Sequence, residues 1–191
     1  MEEKTDLNKK FAVLFWGNFI PLQGIQYIIK AAKTLEQYQD IKFEVIGNGQ
    51  TYAEMMELVK KLSVKNIVFI DKMTQEDLVG YIKKADVCLG IFGDTGKTQR
   101  VIPNKVYEAI AMKKPVISGD TPAIRELFTD RENVLLCLVA DADDLADKIL
   151  ELKNNQDLRY KIANNGYEIF KSSGIPKVIG GKLFQDLKTL L

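Results

Sequence analysis

Short apolar runs alternate with longer stretches of helical period along most of the chain. The runs at 11–16, 42–46, 67–70, 87–91, 116–118 and 134–139 read as strands. Taken together they are continuous rather than alternating, as expected of strands covered on both faces. Between them, 24–38, 51–62, 74–84, 103–112 and 121–128 carry the spacing of helices, and 141–152 adds another with Asp141 as its N-cap. Two further helices, 156–170 and 177–191, follow, separated by Ser172-Ser173-Gly174-Ile175-Pro176.

Strands that alternate with helices build a parallel sheet wound on both faces. The pattern predicts an α/β, Rossmann-like domain over 11–155 with a six-stranded parallel sheet. A polar tail or linker at 1–10 precedes it, and helices at 156–191 form a C-terminal extension. In open sheets of this kind ligands bind outside the carboxyl ends of the strands. That places the chemistry in five loops: 17–23, 47–50, 71–73, 92–102 and 119–121.

Composition narrows the function. Of 191 residues, 46% are hydrophobic, enough for a core, and 28% are charged with a net charge of +1. Nothing resembles a basic nucleic-acid tail or a polybasic membrane patch. The longest apolar runs are strand-length, and residues 1–10 do not look like a signal peptide, so the expectation is a cytoplasmic protein. Cys88 and Cys137 sit inside apolar runs and read as buried, reduced thiols. There is no histidine, which removes the commonest general base and metal ligand from the chain. No Asp-x-Asp motif stands out, and neither a metal nor a cofactor is indicated.

Three motifs invite a functional reading. Gly93-Asp94-Thr95-Gly96-Lys97-Thr98 looks like a P-loop, but G-x-x-x-x-G-K-[ST] needs a glycine at position 91, which is Ile91. Four residues also separate Thr98 from Pro103, where the next helix begins, so a polar loop is the better reading. Gly47-Asn48-Gly49 follows a strand and opens a helix, as a dinucleotide fingerprint does, with Asp71 some twenty residues on. Tyr52 stands where the third glycine belongs, so a tight strand-to-helix turn explains the stretch equally well, though its two glycines leave backbone room for a ligand.

The third motif is Val101-Ile102-Pro103-Asn104-Lys105-Val106-Tyr107-Glu108-Ala109. Pro103 suits the first position of a helix, and Ile102 before it cannot cap. The N–H groups of Asn104, Lys105 and Val106 then lack a side-chain acceptor, which makes an anion site. Glu108 falls on the same face as Lys105, about 4.5 Å along the axis. The face suits a diphosphate at one end and paired hydroxyls at the other, or it holds an ordinary Lys105–Glu108 surface pair.

At this point the chain resembles a known family, the retaining GT-B glycosyltransferases of group 1, or family 4. "FWGNFIPLQGIQYIIKAA" is similar to the family's opening strand, glycine loop and first helix, and "FEVIGNGQ" to its second strand and turn. "NIVFIDKMTQEDLVGYIKKADVCLGIF", "PNKVYEAIAMKKPVIS" and "ENVLLCLVADADDLADKILEL" follow in register, the fourth piece being the most specific. The resemblance implies the C-terminal half of such an enzyme, which holds a nucleotide-sugar donor as substrate. It implies that Glu108 binds the ribose hydroxyls, that the helix start at Asn104, Lys105 and Val106 faces the diphosphate, and that Lys72 and Met73 lie against the base. Gly17, Asn18 and Gly47 belong to the same donor site, and the polar loop 93–103 meets the donor sugar.

The chain also departs from the family. Arg100 stands where a glutamate usually faces the sugar, and Asn18 and Gln23 replace an arginine and a lysine. Lys105, with Arg100 or Lys97, is expected to supply the missing charge, because helix N–H groups give only about half a unit. Asp120-Thr121-Pro122 replaces a glycine pair. The resemblance further implies an N-terminal acceptor domain that has no counterpart here, so the chain is expected to be a fragment that binds donor without turnover. Leu183, Phe184, Leu187 and Leu190 would pack on that domain or on their own. Two other readings remain: a degenerate regulatory or interaction domain without nucleotide affinity, or half of another GT-B enzyme such as a nucleotide-sugar epimerase or a phosphorylase.

Overall fold

The computed structural model describes residues 10–189; residues 1–9 and 190–191, with the expectations placed on them, lie outside it. Six parallel strands form one sheet: β1 (Phe11–Trp16), β2 (Ile41–Ile46), β3 (Ile67–Ile70), β4 (Val87–Leu89), β5 (Val116–Gly119) and β6 (Leu135–Cys137). Their spatial order is β3-β2-β1-β4-β5-β6. The order reverses between β1 and β4, and a crevice opens at such a switch point. The Rossmann-like α/β expectation holds.

Helices α1 (Ile25–Thr34), α2 (Tyr52–Leu62) and α6 (Ala142–Asn154) cover one face. The other face carries α3 (Gln75–Lys84), α4 (Asn104–Ala111) and α5 (Pro122–Arg125). The two-residue period of a strand sorts β1 between them. Val13 and Phe15 enter the first core, Leu14 and Trp16 the second. Trp16, at the sheet's carboxyl end, therefore points to the side where α4 lies.

Several boundaries moved for physical reasons. β2 alternates where a continuous run was expected: Lys42 and Glu44 remain partly exposed and pair at 2.7 Å beside α3. β4 ends at Leu89, and Gly90 lies so close to β5 that a Cβ there would come within 2.4 Å of Ser118 Oγ. The helix expected over 121–128 stops at Arg125, with Thr121 accepting from the Ile124 N–H. Asp141 caps α6 as expected, accepting from the N–H groups of Asp143 and Asp144.

At the C-terminal end, α7 (Gln156–Ile169) buries Leu158, Ile162 and Ala163, and its Gly166 lies against Ile110 of α4. A π-helical turn, Phe170–Gly174, leads into α8 (Pro176–Thr189). No residue of α8 is buried, and Ile179, Leu183, Phe184 and Leu187 are all more than half exposed. Cys88 and Cys137 are both buried and unbonded to each other.

Candidate functional site

The carboxyl ends of β1 and β2 are bound tightly together by glycine. The Gly17 N–H donates to the Ile46 carbonyl (3.0 Å) and the Gly47 N–H to that of Ile70 (2.9 Å), continuing the ladders past the strand ends. Gly47 has φ +133°, and a Cβ there would fall 2.0 Å from the Gly17 carbonyl oxygen. Only glycine permits this approach. The Phe19 N–H then donates to the Asn48 carbonyl, so the first two loops form one floor.

Above that floor lies a hollow of about 180 Å³, lined by Trp16, Gly17, Asn18, Ile46, Gly47, Lys72, Met73 and Leu78. Trp16, Ile46, Met73 and Leu78 make apolar walls, while Asn18 and Lys72 are exposed. Larger hollows exist, one of about 450 Å³ on α1 and α2 and one of about 590 Å³ beside α3. The first is lined by helix residues alone, and the floor of the second carries the Lys42–Glu44 ion pair. Neither lies at the switch point.

Helix α4 brings its side chains to the Trp16-Gly17 step. Glu108 is half-buried, and its Oε2 accepts from the Trp16 indole N–H at 2.7 Å. Lys105 is only 6% exposed. Its Nζ donates to Gln23 Oε1 at 2.6 Å and lies 3.5 Å from the centre of the Phe15 ring. A Cβ on Gly17 would come within 3.1 Å of the same Nζ. Burial pushes the Lys105 pKa well below its ordinary value, against a smaller opposing pull from the Glu108 carboxylate. Burial thus penalises the charged form of an amine that has no carboxylate bonded to it, and an incoming anion would offset that penalty.

The ordinary surface pair of Lys105 and Glu108 is therefore not what forms. The two side chains are drawn to different partners, Gln23 and Trp16, on the far side of the sheet's switch point. The start of α4 also differs by one residue. Pro103 is the N-cap with extended backbone and offers no side-chain cap. The Val106 N–H donates to the Pro103 carbonyl at 3.0 Å, and the Val106 side chain is fully buried. Val106 is thus not an open donor, whereas Asn104 is exposed at the helix start.

Arg100 is exposed on a 3-10 turn, Thr98–Arg100, and makes no hydrogen bond or ion pair to Lys105 or Glu108. The fully buried Thr98 anchors that turn, its hydroxyl 2.9 Å from that of Thr95. Asp120 forms a two-point ion pair with Arg125 at 2.5 and 2.7 Å. Sequence reasoning missed Trp16 as part of the site. Its parity with Leu14 was the available signal, since that alone sets it on the α4 side. Among the described residues no cluster of three or more His, Cys, Asp or Glu side chains could hold a metal ion, and no helix is long and apolar enough to cross a membrane.

Comparison with known proteins bears on this geometry. The family model "Glycosyl transferases group 1" matches residues 1–169. An uncharacterized glycosyltransferase of Methanocaldococcus jannaschii is 28% identical over 183 residues, covering 91% of this chain and 48% of its own. The chain spans about half the length of the curated relatives it matches. The C-terminal domain of a group 1 glycosyl transferase from Francisella tularensis superposes with a TM-score of 0.74 at 26% identity, covering 87% of both chains. Anabaena HepE, solved in complex with UDP-glucose, shares the fold with a TM-score of 0.82 at 17% identity, over 94% of this chain and 49% of that one.

Proposed function

The chain belongs to the group 1 glycosyltransferases and has the fold of a GT-B C-terminal domain, and from that premise we propose that it binds the nucleotide-sugar donor of a retaining enzyme. One observation carries the reading. At the Trp16-Gly17 step an apolar-walled hollow, a half-buried carboxylate and the buried amine of Lys105 meet at one strand end. A nucleoside diphosphate has three matching parts: a flat base, a vicinal diol and a diphosphate.

In this reading the base enters the hollow against Ile46 and Met73. The Glu108 carboxylate accepts from the ribose hydroxyls. The diphosphate lies between Gly17, Lys105 and the open N–H groups at the start of α4. Glycosyl transfer breaks the bond from the sugar's anomeric carbon to the diphosphate and forms one to the oxygen of an acceptor hydroxyl, which gives up its proton, leaving negative charge on the departing diphosphate. Lys105 and the helix terminus stand ready to stabilise that charge before it forms. The acceptor site belongs to the part of the protein that the relatives' extra length represents, and the exposed apolar face of α8 is a natural surface for it to cover.

UDP complexes of structural neighbours such as HepE and Staphylococcus aureus TarM support the ligand class. The test is calorimetric titration with UDP, GDP and ADP, alongside Glu108→Ala. Saturable binding of one nucleotide is expected, weakened about tenfold or more by the loss of charge-assisted hydrogen bonds. If none of the three binds either to this chain or to the full-length protein, a regulatory domain without nucleotide affinity becomes the better account.

A further inference from the structure

The last residue of β1 is an unusual choice for a strand end that borders a ligand hollow. Trp16 is the chain's single tryptophan, and it is only 6% exposed. A buried indole N–H needs an acceptor, and here it donates to Glu108 Oε2 at 2.7 Å from 92 residues away. That is the short end of the range for an N–H donor on a carboxylate. The other oxygen, Oε1, accepts no hydrogen bond from the described residues. One indole bond thus leaves the carboxylate with a defined plane and one unoccupied oxygen. The same ring walls the hollow.

We infer that Trp16 is a positioning residue, whose indole N–H orients the Glu108 carboxylate so that its second oxygen receives a vicinal diol. This rests on the donor-binding reading above and adds to it a specificity element: selection for a ribose over a sugar lacking both hydroxyls. A carboxylate without that bond would rotate about its terminal torsion, which is broad and roughly two-fold. Part of each encounter with the diol would then be spent ordering it. The effect reaches the ligand only through the hydroxyls, so it vanishes when they are absent.

That property supplies the test. Trp16→Phe keeps most of the apolar wall and removes the donor. Affinity for whichever ribonucleoside diphosphate the wild type binds is expected to fall about tenfold. Affinity for its 2′,3′-dideoxy counterpart is expected to change less than about twofold. Equal weakening of both nucleotides, or of neither, overturns the positioning role and leaves the donor site standing. Failure of the wild type to bind any ribonucleotide takes down both.

A second readout needs no variant of Trp16. In the wild-type chain the single indole N–H resonance should lie downfield, as in a short bond to a carboxylate, and move upfield in Glu108→Gln. An indole signal that Glu108→Gln leaves unmoved contradicts the inference even if Trp16→Phe fails to fold.

Discussion

Replacing Lys105 with methionine separates a ligand-binding cation from a structural one. Methionine keeps an unbranched side chain of similar length inside the same buried space. Three interactions change. The hydrogen bond to Gln23 Oε1 is lost, leaving a neutral amide oxygen short of a donor at a cost of about 1–3 kcal/mol. The cation over the Phe15 ring is replaced by a thioether over the same ring, which exchanges two contacts each worth roughly 1 kcal/mol. The desolvation of a buried ammonium, about several kcal/mol where it is charged, is relieved.

These contributions offset one another, because what remains unpaired is an amide and not a charge. The melting temperature of Lys105→Met should therefore lie within about 4 °C of wild type, a change of roughly 1 kcal/mol or less. Binding has no such compensation. Loss of one charge-assisted hydrogen bond to phosphate costs about 1.5–3 kcal/mol, or roughly ten- to 150-fold in Kd. Calorimetric titration with the preferred nucleoside diphosphate and a thermal melt of the same sample measure both. Affinity within twofold of wild type would refute the role of Lys105, and a melting temperature lowered by more than about 10 °C would show it to be structural.

The same lysine predicts a pH dependence. Burial lowers its pKa well below the ordinary 10.5, and a bound diphosphate raises it again. Binding therefore takes up a proton, and affinity falls with rising pH before the ordinary lysine range is reached. Titration in buffers of different ionisation enthalpy should show the uptake, and Lys105→Met should abolish it. Gly47→Ala places a Cβ 2.0 Å from the Gly17 carbonyl oxygen at φ +133°. It should destabilise by about 3 kcal/mol or more, seen as a melting temperature roughly 6–12 °C lower. Asp141→Ala removes the acceptor for two N–H groups at the start of α6 and should cost about 1 kcal/mol by denaturant unfolding. Burial holds the Cys88 thiol up to about 12 and pushes Cys137 higher still. Neither should react with iodoacetamide at about pH 8 until the chain unfolds, as mass spectrometry would record.

The sheet was legible because its strands are nearly continuous apolar runs, and β1 and β3 begin and end where those runs do. Lys42 and Glu44 interrupted the pattern for a reason visible only in three dimensions, since α3 leaves that face of β2 partly open. Around the site, Gly17 and Gly47 could be read from their place after strands, and Lys72 and Met73 from the resemblance; all four line one hollow. The burial of Lys105 could not be read. A lysine on the first turn of a helix is ordinarily exposed, and what covers this one is Phe15 and Gln23, 90 and 82 residues away in sequence. The Trp16–Glu108 bond was hidden for the same reason. Val106 looked like an open donor because an N–H on the first turn has no acceptor four residues back, and a tighter bond to the Pro103 carbonyl, three residues back, closes it.

A nucleoside diphosphate is proposed to bind at the switch point between β1 and β4, with its charge against Lys105. Amide chemical-shift mapping of the isotopically labelled protein, titrated with UDP, GDP and ADP in turn, tests it most directly. One nucleotide is expected to shift Gly17, Asn18, Gly47, Lys72, Asn104 and Lys105 together and to leave the hollow on α1 and α2 unmoved. Shifts confined to Gln26, Lys30 and Leu58 in that other hollow, or no shifts with any of the three, would contradict it.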